Sequence, residues 1–417
     1  MRQTNYGGNG RLRRSINLPF LVFYGLGTIV GGGIYAMTGK VAGIAGLYAP
    51  VAFLISASIA LITAFSYAEM AGRYPLSAGE VRYVDAGFSR RRFSMLIGWM
   101  IIFTGIVSSA TLANATAGFI VDFIELPVLP LRAGIILLLG LIACWGIRES
   151  VSLVAIITLI EVGGLLLVVV LSRQELATIG TRWRELLPPV GAGDLAIWSS
   201  IFSAAFLAFY TFIGFEDMVN VAEEVKDVRR TLPAAILICI FLSMTLYVLV
   251  ALAAVLTVPP QELAQSNTPL ATIASWSDHM LPPWLLGAIS ILATINGILV
   301  QIIMSSRVLH GMANGNEAPA VFRRVNSFTR TPLEASLFVI GLVLFFSLVL
   351  DLATLAKTTS AVILFVFAAV NASLLKLKWT GKAAPDGVFT TWWGVPLLGF
   401  ISCSGMLLFK LVEFLPL

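Results

Sequence analysis

The chain has 417 residues, 58% of them hydrophobic and 12% charged, with a formal net charge of +5 and a mean hydropathy of +0.92. Soluble domains carry about a quarter charged residues, so half that share over the full length excludes an ordinary water-soluble protein and makes lipid the expected solvent. The basic residues sit in short clusters between apolar runs, which excludes a nucleic-acid surface and points to loops biased by membrane orientation.

The basic stretch from Arg11 to Arg14 precedes an apolar run too long for the core of a secretory signal, and no small-residue cleavage site follows before the next span. It reads as a first transmembrane helix. A helix needs about 20 mainly apolar residues to cross the hydrocarbon core. That length predicts spans at 18–38, 48–72, 93–121, 131–147, 151–171, 197–217, 234–257, 284–312, 333–350, 354–375 and 393–415, eleven in all. With the N-terminus in the cytoplasm, 20 of the 27 Lys and Arg residues fall on the inner side and 7 on the outer. The positive-inside bias therefore puts the N-terminus inside, and an odd number of spans leaves the C-terminus outside. Cys144, Cys239 and Cys403 all lie within apolar runs, with no paired spacing, and read as small core residues.

Two spans carry interruptions. In the first, Gly25, Gly27, Gly31, Gly32 and Gly33 fall within Tyr24–Tyr35. Each costs roughly 1 kcal/mol of helix propensity relative to alanine. Close packing through small residues accounts for the Gly27/Gly31 spacing but not for three glycines in a row, so a helix break is expected there. Irregular backbone at membrane depth is tolerated only when buried in protein or lining a watery cavity. In the sixth span, Gly214 lies among aromatics in Phe209–Asp217, followed at once by Glu216 and Asp217. The two breaks open successive groups of five spans, which predicts a 5+5 inverted repeat with helices 1 and 6 discontinuous and a binding site at the bilayer midplane. The expected organisation is a cytoplasmic tail at 1–17, a core at 18–375 (helices 1–5 at 18–171, helices 6–10 at 197–375), and a linker with helix 11 at 376–417. Half-helix N-termini suit a carboxylate, and exposed carbonyls suit an ammonium or metal cation.

Four ordered stretches resemble the amino acid–polyamine–organocation (APC) transporter superfamily, which has the LeuT-type fold. Val30-Gly-Gly-Gly-Ile-Tyr35 resembles its first-helix break. Tyr67-Ala-Glu-Met-Ala-Gly-Arg-Tyr-Pro75, running on to Tyr83, resembles its second-helix signature. Phe212-Ile-Gly-Phe-Glu216, with Ala222-Glu-Glu-Val-Lys-Asp-Val-Arg-Arg-Thr-Leu-Pro233 beyond, resembles the sixth-helix break and its tail. Ser306-Arg-Val-Leu-His-Gly-Met-Ala313, with Asn326 and Thr331-Pro332, resembles the end of the eighth helix. The resemblance implies that Gly31, Gly32 and Gly33 present amides to a substrate carboxylate, and that Phe212, Ile213 and Gly214 present carbonyls to its amine. It implies an aromatic gate at Tyr210, an inner gate or proximal network at Glu216, and a substrate-facing position at Gln301. The chain departs from the pattern at Gly32, where relatives have a hydroxyl, at Gln301, where some have a ring, and at Ser77-Ala78-Gly79-Glu80, which replaces a Gly-Gly turn and reads as structural.

Ionisable groups inside spans are functional candidates. Glu69 and Arg73, four apart, fit an intrahelical pair or a latch at the cytoplasmic end. Of Glu216 and Asp217, one reads as a gate and the other as facing cytoplasmic water. Glu161 lies mid-span, beyond the reach of snorkelling, and is either a structural acid hydrogen-bonded to a neighbouring helix or a group that exchanges a proton or recruits a cation. By resemblance it stands where many relatives carry a lysine. It is expected to face carbonyls near Gly31 and the hydroxyl of Ser305, with proton coupling favoured over sodium and no cofactor.

Weaker signals remain. His279 and His310 form no metal cluster. Asn114-Ala-Thr116 is a chance sequon inside a span, and Asn114, Ser108 and Ser109 either bond neighbouring helices or line a cavity. Trp392-Trp393 fits an interfacial belt. No Walker A, HExxH or GxSxG motif is present, so primary-active transport and the commoner hydrolases lack support. The leading reading is a secondary transporter of amino acids or related amines in the cell membrane, with no nucleic-acid partner and a monomer as the expected state. The alternatives are a polyamine or cationic-amine exchanger, and, from another class, a substrate-sensing receptor or channel.

Overall fold

The computed structural model describes residues 16–75, 79–145, 151–189, 194–277, 282 and 284–414. Arg11–Arg14, Ser77, Ala78, Gly146, Arg148 and His279 lie outside the described residues. The first helix, α1 (Leu18–Val30), starts where the Asn17 side chain accepts the Phe20 N–H at 3.2 Å and Pro19 gives up no helical donor. After a two-residue break, α2 (Gly33–Ala45) ends at Gly46, whose φ of +60° suits only glycine. Then come α3 (Ala49–Arg73), α4 (Gly79–Phe88), α5 (Arg91–Val121), α6 (Val128–Trp145), α7 (Val151–Leu171) and the short α8 (Arg173–Ala177) and α9 (Ile179–Leu186). Next, α10 (Leu195–Ala208) runs into tighter 3-10 turns at Phe209–Phe212 and Phe215–Glu224. The chain closes with α11 (Val228–Thr257), α12 (Pro260–Gln265), α13 (Pro269–Trp276), α14 (Trp284–Asn314), α15 (Leu333–Val349), α16 (Leu352–Trp379) and α17 (Gly394–Phe414).

Each of the eleven expected spans overlaps helix among the described residues. Nine helical stretches among the described residues are long and apolar enough to cross a bilayer, and the apolar α1 and α15 are shorter. Two differences have a simple cause. The sixth span continues as 3-10 turns to Glu224, seven residues past its expected end, and the loops hold α4, α8, α9, α12 and α13. Each of these helices is too short for a ruler of about 20 residues to register. Leu137, Leu138 and Leu141 on α6, and Leu408, Leu411 and Val412 on α17, are exposed. Apolar surface of that extent needs lipid to cover it.

Inside, polar side chains bind helices to one another. Asn371 of α16 donates to Thr63 Oγ1 (3.1 Å) and the Phe367 carbonyl (2.9 Å) while accepting from Ser66 (2.7 Å). Asn114 of α5 donates to the Leu350 carbonyl and accepts from Ser347, so its role is helix–helix bonding. His310 is held between the Phe322 carbonyl and Asn314, and the Trp392 and Trp393 rings pack together and are exposed. Glu69 is both the pair and the latch that its spacing suggested. Its Oε1 accepts from Nε and Nη2 of Arg73 and from Nζ of Lys378, and its Oε2 accepts from the N–H and hydroxyl of Thr391. One fully buried carboxylate thus ties α3 to α16 and to the segment ahead of α17. Glu69→Ala leaves Arg73 and Lys378, 6% and 13% exposed, without their shared counter-charge. A loss of about 3 kcal/mol follows, read as a lower unfolding temperature of the detergent-purified protein.

Candidate functional site

Both breaks are present, and each is set by a glycine. At the first, Gly32 takes φ +72°, ψ −32°, and the Gly33 N–H folds back to the Gly31 carbonyl at 2.8 Å, a three-residue turn of the γ type. A Cβ on Gly32 would meet Leu112 and Thr294 at 2.8 Å, so both conformation and space demand glycine. At the second, Ile213 is extended and Gly214 has φ +126°, with its missing Cβ aimed at the Thr28 carbonyl of α1. The breaks touch and bond each other. Thr28 donates to the Gly214 carbonyl at 3.0 Å, sharing its proton with Gly25 at 2.9 Å. Tyr247 of α11 donates to the Ile29 carbonyl at 2.8 Å and packs on the Phe212 ring. Gly27 serves as the close-packing position, facing Thr158 of α7.

Gly31, Gly33, Ile213, Tyr210 and Gln301 line one cavity beside the breaks, together with Ser108 and the bare Gly297 of α14. The space between their atoms, mouth included, is about 410 Å³. The Tyr210 hydroxyl meets that of Ser108 at 3.1 Å, closing the cavity between the sixth span and α5. Three expectations need correction. Gly32 and Phe212 do not line this cavity: the first is enclosed by Leu112 and Thr294, the second by Tyr247. Gly33 does not offer its amide there, because the γ-type turn uses it. The Gly214 carbonyl, expected to meet an amine, already accepts from Thr28.

On the other side of Gln301 lies a second, narrow cavity, lined by Glu80, Glu216, Asp217 and Ser305, where the space between the atoms, mouth included, is about 390 Å³. Gln301 borders both and donates to Asp217 at 3.0 Å. Glu216 accepts the Gly214 N–H at 2.8 Å and so satisfies a donor that the break exposes. Neither acid of the pair faces open water: they are 6% and 7% exposed. Glu80, at the start of α4 between two spans, is also buried. Burial, with Asp217 nearby, pushes its carboxyl up to about 8. The sequence treated Glu80 as part of a structural turn. The missed signal was an acid three residues before the second-helix signature's Tyr83, on the same helical face.

Glu161 is fully buried. One carboxyl oxygen accepts from Asn296 of α14 at 3.2 Å and the other has no partner, while its backbone carbonyl accepts from Tyr35. The expected partnership with Ser305 does not occur. Nine residues separate Asn296 from Ser305, which at 3.6 residues per turn puts them on opposite faces of α14 and about 13 Å apart along its axis. Ser305 turns instead toward Gly105 of α5.

Residues 16–417 match the family model described as amino acid permease. The chain belongs to that family. Among this permease's relatives, a vacuolar cationic amino acid transporter 4 of Arabidopsis thaliana is 26% identical over 91% of the chain and 65% of its own length. The branched-chain amino acid permease of Bacillus subtilis is 25% identical over 91% of the chain and 83% of its own. The human cationic amino acid transporter 4 is 28% identical over 90% and 61%. The chain thus spans less than two thirds of the length of the plant and human relatives. A family of permeases agrees with the carrier reading of the sequence rather than with an enzyme.

If the permease depends on its second break, Gly214→Ala strains the backbone by about 1–3 kcal/mol, pushes against Thr28, and lowers the unfolding temperature. Gly163→Ala on α7 is the control. Nothing lies within 4 Å of its added Cβ, and it raises stability by up to about 1 kcal/mol.

Proposed function

We propose that this permease is a secondary carrier that moves amino acids across the cytoplasmic membrane by alternating access, with its N-terminus in the cytoplasm. The observation that carries the reading is the cavity bounded by both helix breaks and closed by Tyr210, Ser108 and Gln301. Backbone at an interrupted helix recognises the part all amino acids share, while Tyr210 and Gln301 bound the space left for the side chain. The relatives' names support an amino acid without fixing its side chain, since one names cationic and another branched-chain substrates. Interruptions opening two successive groups of five spans support a 5+5 repeat, with residues 18–375 as the moving core. The Lys/Arg bias supports the orientation.

Glu161 is the proposed coupling group. It is a fully buried acid with one oxygen held by Asn296 and the other unpartnered, an arrangement that can take up a proton or, less favourably, hold sodium. Gly31 and the first break lie on the helix pair that Glu161 touches through Tyr35.

Reconstitution into proteoliposomes tests both parts. The expected result is saturable uptake of radiolabelled amino acid, with counterflow, driven by an inward proton gradient. Conductance at channel rates, or binding without flux, overturns the carrier reading in favour of a channel or receptor. Glu161→Gln is expected to reduce gradient-driven accumulation by about tenfold or more while leaving counterflow measurable. Unchanged accumulation sinks the coupling role.

A further inference from the structure

The second cavity, the inner one in the proposed orientation, holds a charge problem that the transport reading leaves unused. Glu80, Glu216 and Asp217 come from α4 and the 3-10 segment and line the cavity together, each less than a tenth exposed. Among the described residues no Lys, Arg or His lines it. The other titratable groups packed nearby are the phenols of Tyr67 and Tyr83, which meet edge to face, Tyr67 also meeting Phe215, and supply no positive charge. Glu69 provides the contrast in the same molecule: it is equally buried, yet it carries Arg73, Lys378 and Thr391. A buried charge without a partner is costly, so the cavity holds its acids either protonated or against a cation from outside the chain.

A second observation points to a ligand. The Ser305 hydroxyl is 97% buried, lines the cavity and has no hydrogen-bond partner. It has room because Gly105 opposite has no side chain; a Cβ there would overlap the hydroxyl. Among the described residues no group of carboxyls and ring nitrogens converges tightly enough to hold a metal ion. A larger cation with donors pointing in several directions fits better. An ammonium has three N–H donors, against acceptors on Glu80, Asp217 and Ser305.

We infer that the inner cavity is a docking site for an organic ammonium, namely the side-chain ammonium of a basic amino acid whose backbone end occupies the neighbouring cavity. The inference rests on the carrier reading. Gln301 is the wall between the two compartments, and its amide NH₂ already occupies an oxygen of Asp217. The ammonium takes over that oxygen as the Gln301 amide swings aside. One proton leaves the carboxyl cluster as the ammonium binds, so charge and protons balance and affinity rises with pH. The position of the Glu80 carboxyl, up near 8, keeps that exchange within the neutral range.

Calorimetric titration of the full purified protein, in two buffers of different ionisation enthalpy, tests this with L-lysine and with L-norleucine, which has the same carbon chain without the ammonium. Lysine is expected to bind at least about tenfold tighter than norleucine and to release about one proton. In Glu80→Gln the lysine-to-norleucine ratio is expected to fall to within about twofold, and Ser305→Ala to lower it partway. Equal affinities in the wild type, lysine binding without proton release, or a ratio that survives both substitutions overturns the inference. If Glu80→Gln does not fold, the wild-type ratio and proton count still decide. Norleucine binding without a lysine preference, or no binding of either amino acid, defeats this inference alone, whereas the carrier reading beneath it falls only if no amino acid gives saturable flux in proteoliposomes.

Discussion

At membrane depth every backbone N–H and C=O must find a partner within the protein. That constraint explains why the two helix breaks lie against each other. Thr28 of α1 reaches the Gly214 carbonyl, Tyr247 reaches the Ile29 carbonyl, Glu216 takes the Gly214 N–H, and the Gly31–Gly33 turn closes on itself. Each interruption supplies or positions the groups that quiet the other. Neither Gly32 nor Gly214 can carry a side chain: one would strike Leu112 and Thr294, the other the Thr28 carbonyl. The breaks are therefore a joint structure, and the cavity beside them exists because their backbones approach without side chains between.

The same constraint sorts the buried acids. Glu69 is surrounded by donors and fixes helices in place. Glu216 is divided: one oxygen caps the break, and its carboxyl also borders the inner cavity. Asp217 is held by a neutral amide, and Glu161 has one neutral amide and one bare oxygen. A neutral donor stabilises a carboxyl without fixing its charge. These are the acids free to change protonation or partner, whereas Glu69, held by two cations, is not.

Hydropathy alone located the long apolar helices, nine of them membrane-length among the described residues, because lipid demands length and apolarity and little else. The breaks were legible for the same reason in reverse: three consecutive glycines, or a glycine ahead of two acids, make no sense inside a continuous span. Pairings across helices were not legible. The sequence set Ser305 against Glu161, but rotation of about 100° per residue turns a nine-residue error of register into the opposite face of α14, where Asn296 is the true partner. The direction of individual amides was equally hidden, since the Gly33 N–H depends on a turn that any of several glycine conformations satisfies. One of Glu216 and Asp217 read as facing water, and Glu80 as structural, because burial at the end of a span depends on how the 3-10 segment and α4 pack, which no single-chain periodicity encodes.

Movement has an evident line of weakness. Gln301 lines both cavities, and its bond to Asp217 is a polar contact at their shared wall. Farther along, the end that is cytoplasmic in the proposed orientation is pinned by backbone pairing: the Ile16 N–H meets the Glu224 carbonyl at 3.1 Å, and the Lys226 N–H meets the Ile16 carbonyl at 2.9 Å. Such a two-bond tie at a loop opens far more easily than a helix pair like α5 and α14, joined along their length. The opposite end is pinned differently, with Asp122, just after α5, accepting from Asn267 and Thr268 between α12 and α13. On the proposed carrier reading, the two ends release alternately while the Thr28–Gly214 contact holds. The hinge then lies at the joined breaks, and substrate chemistry beside them can bias which end opens.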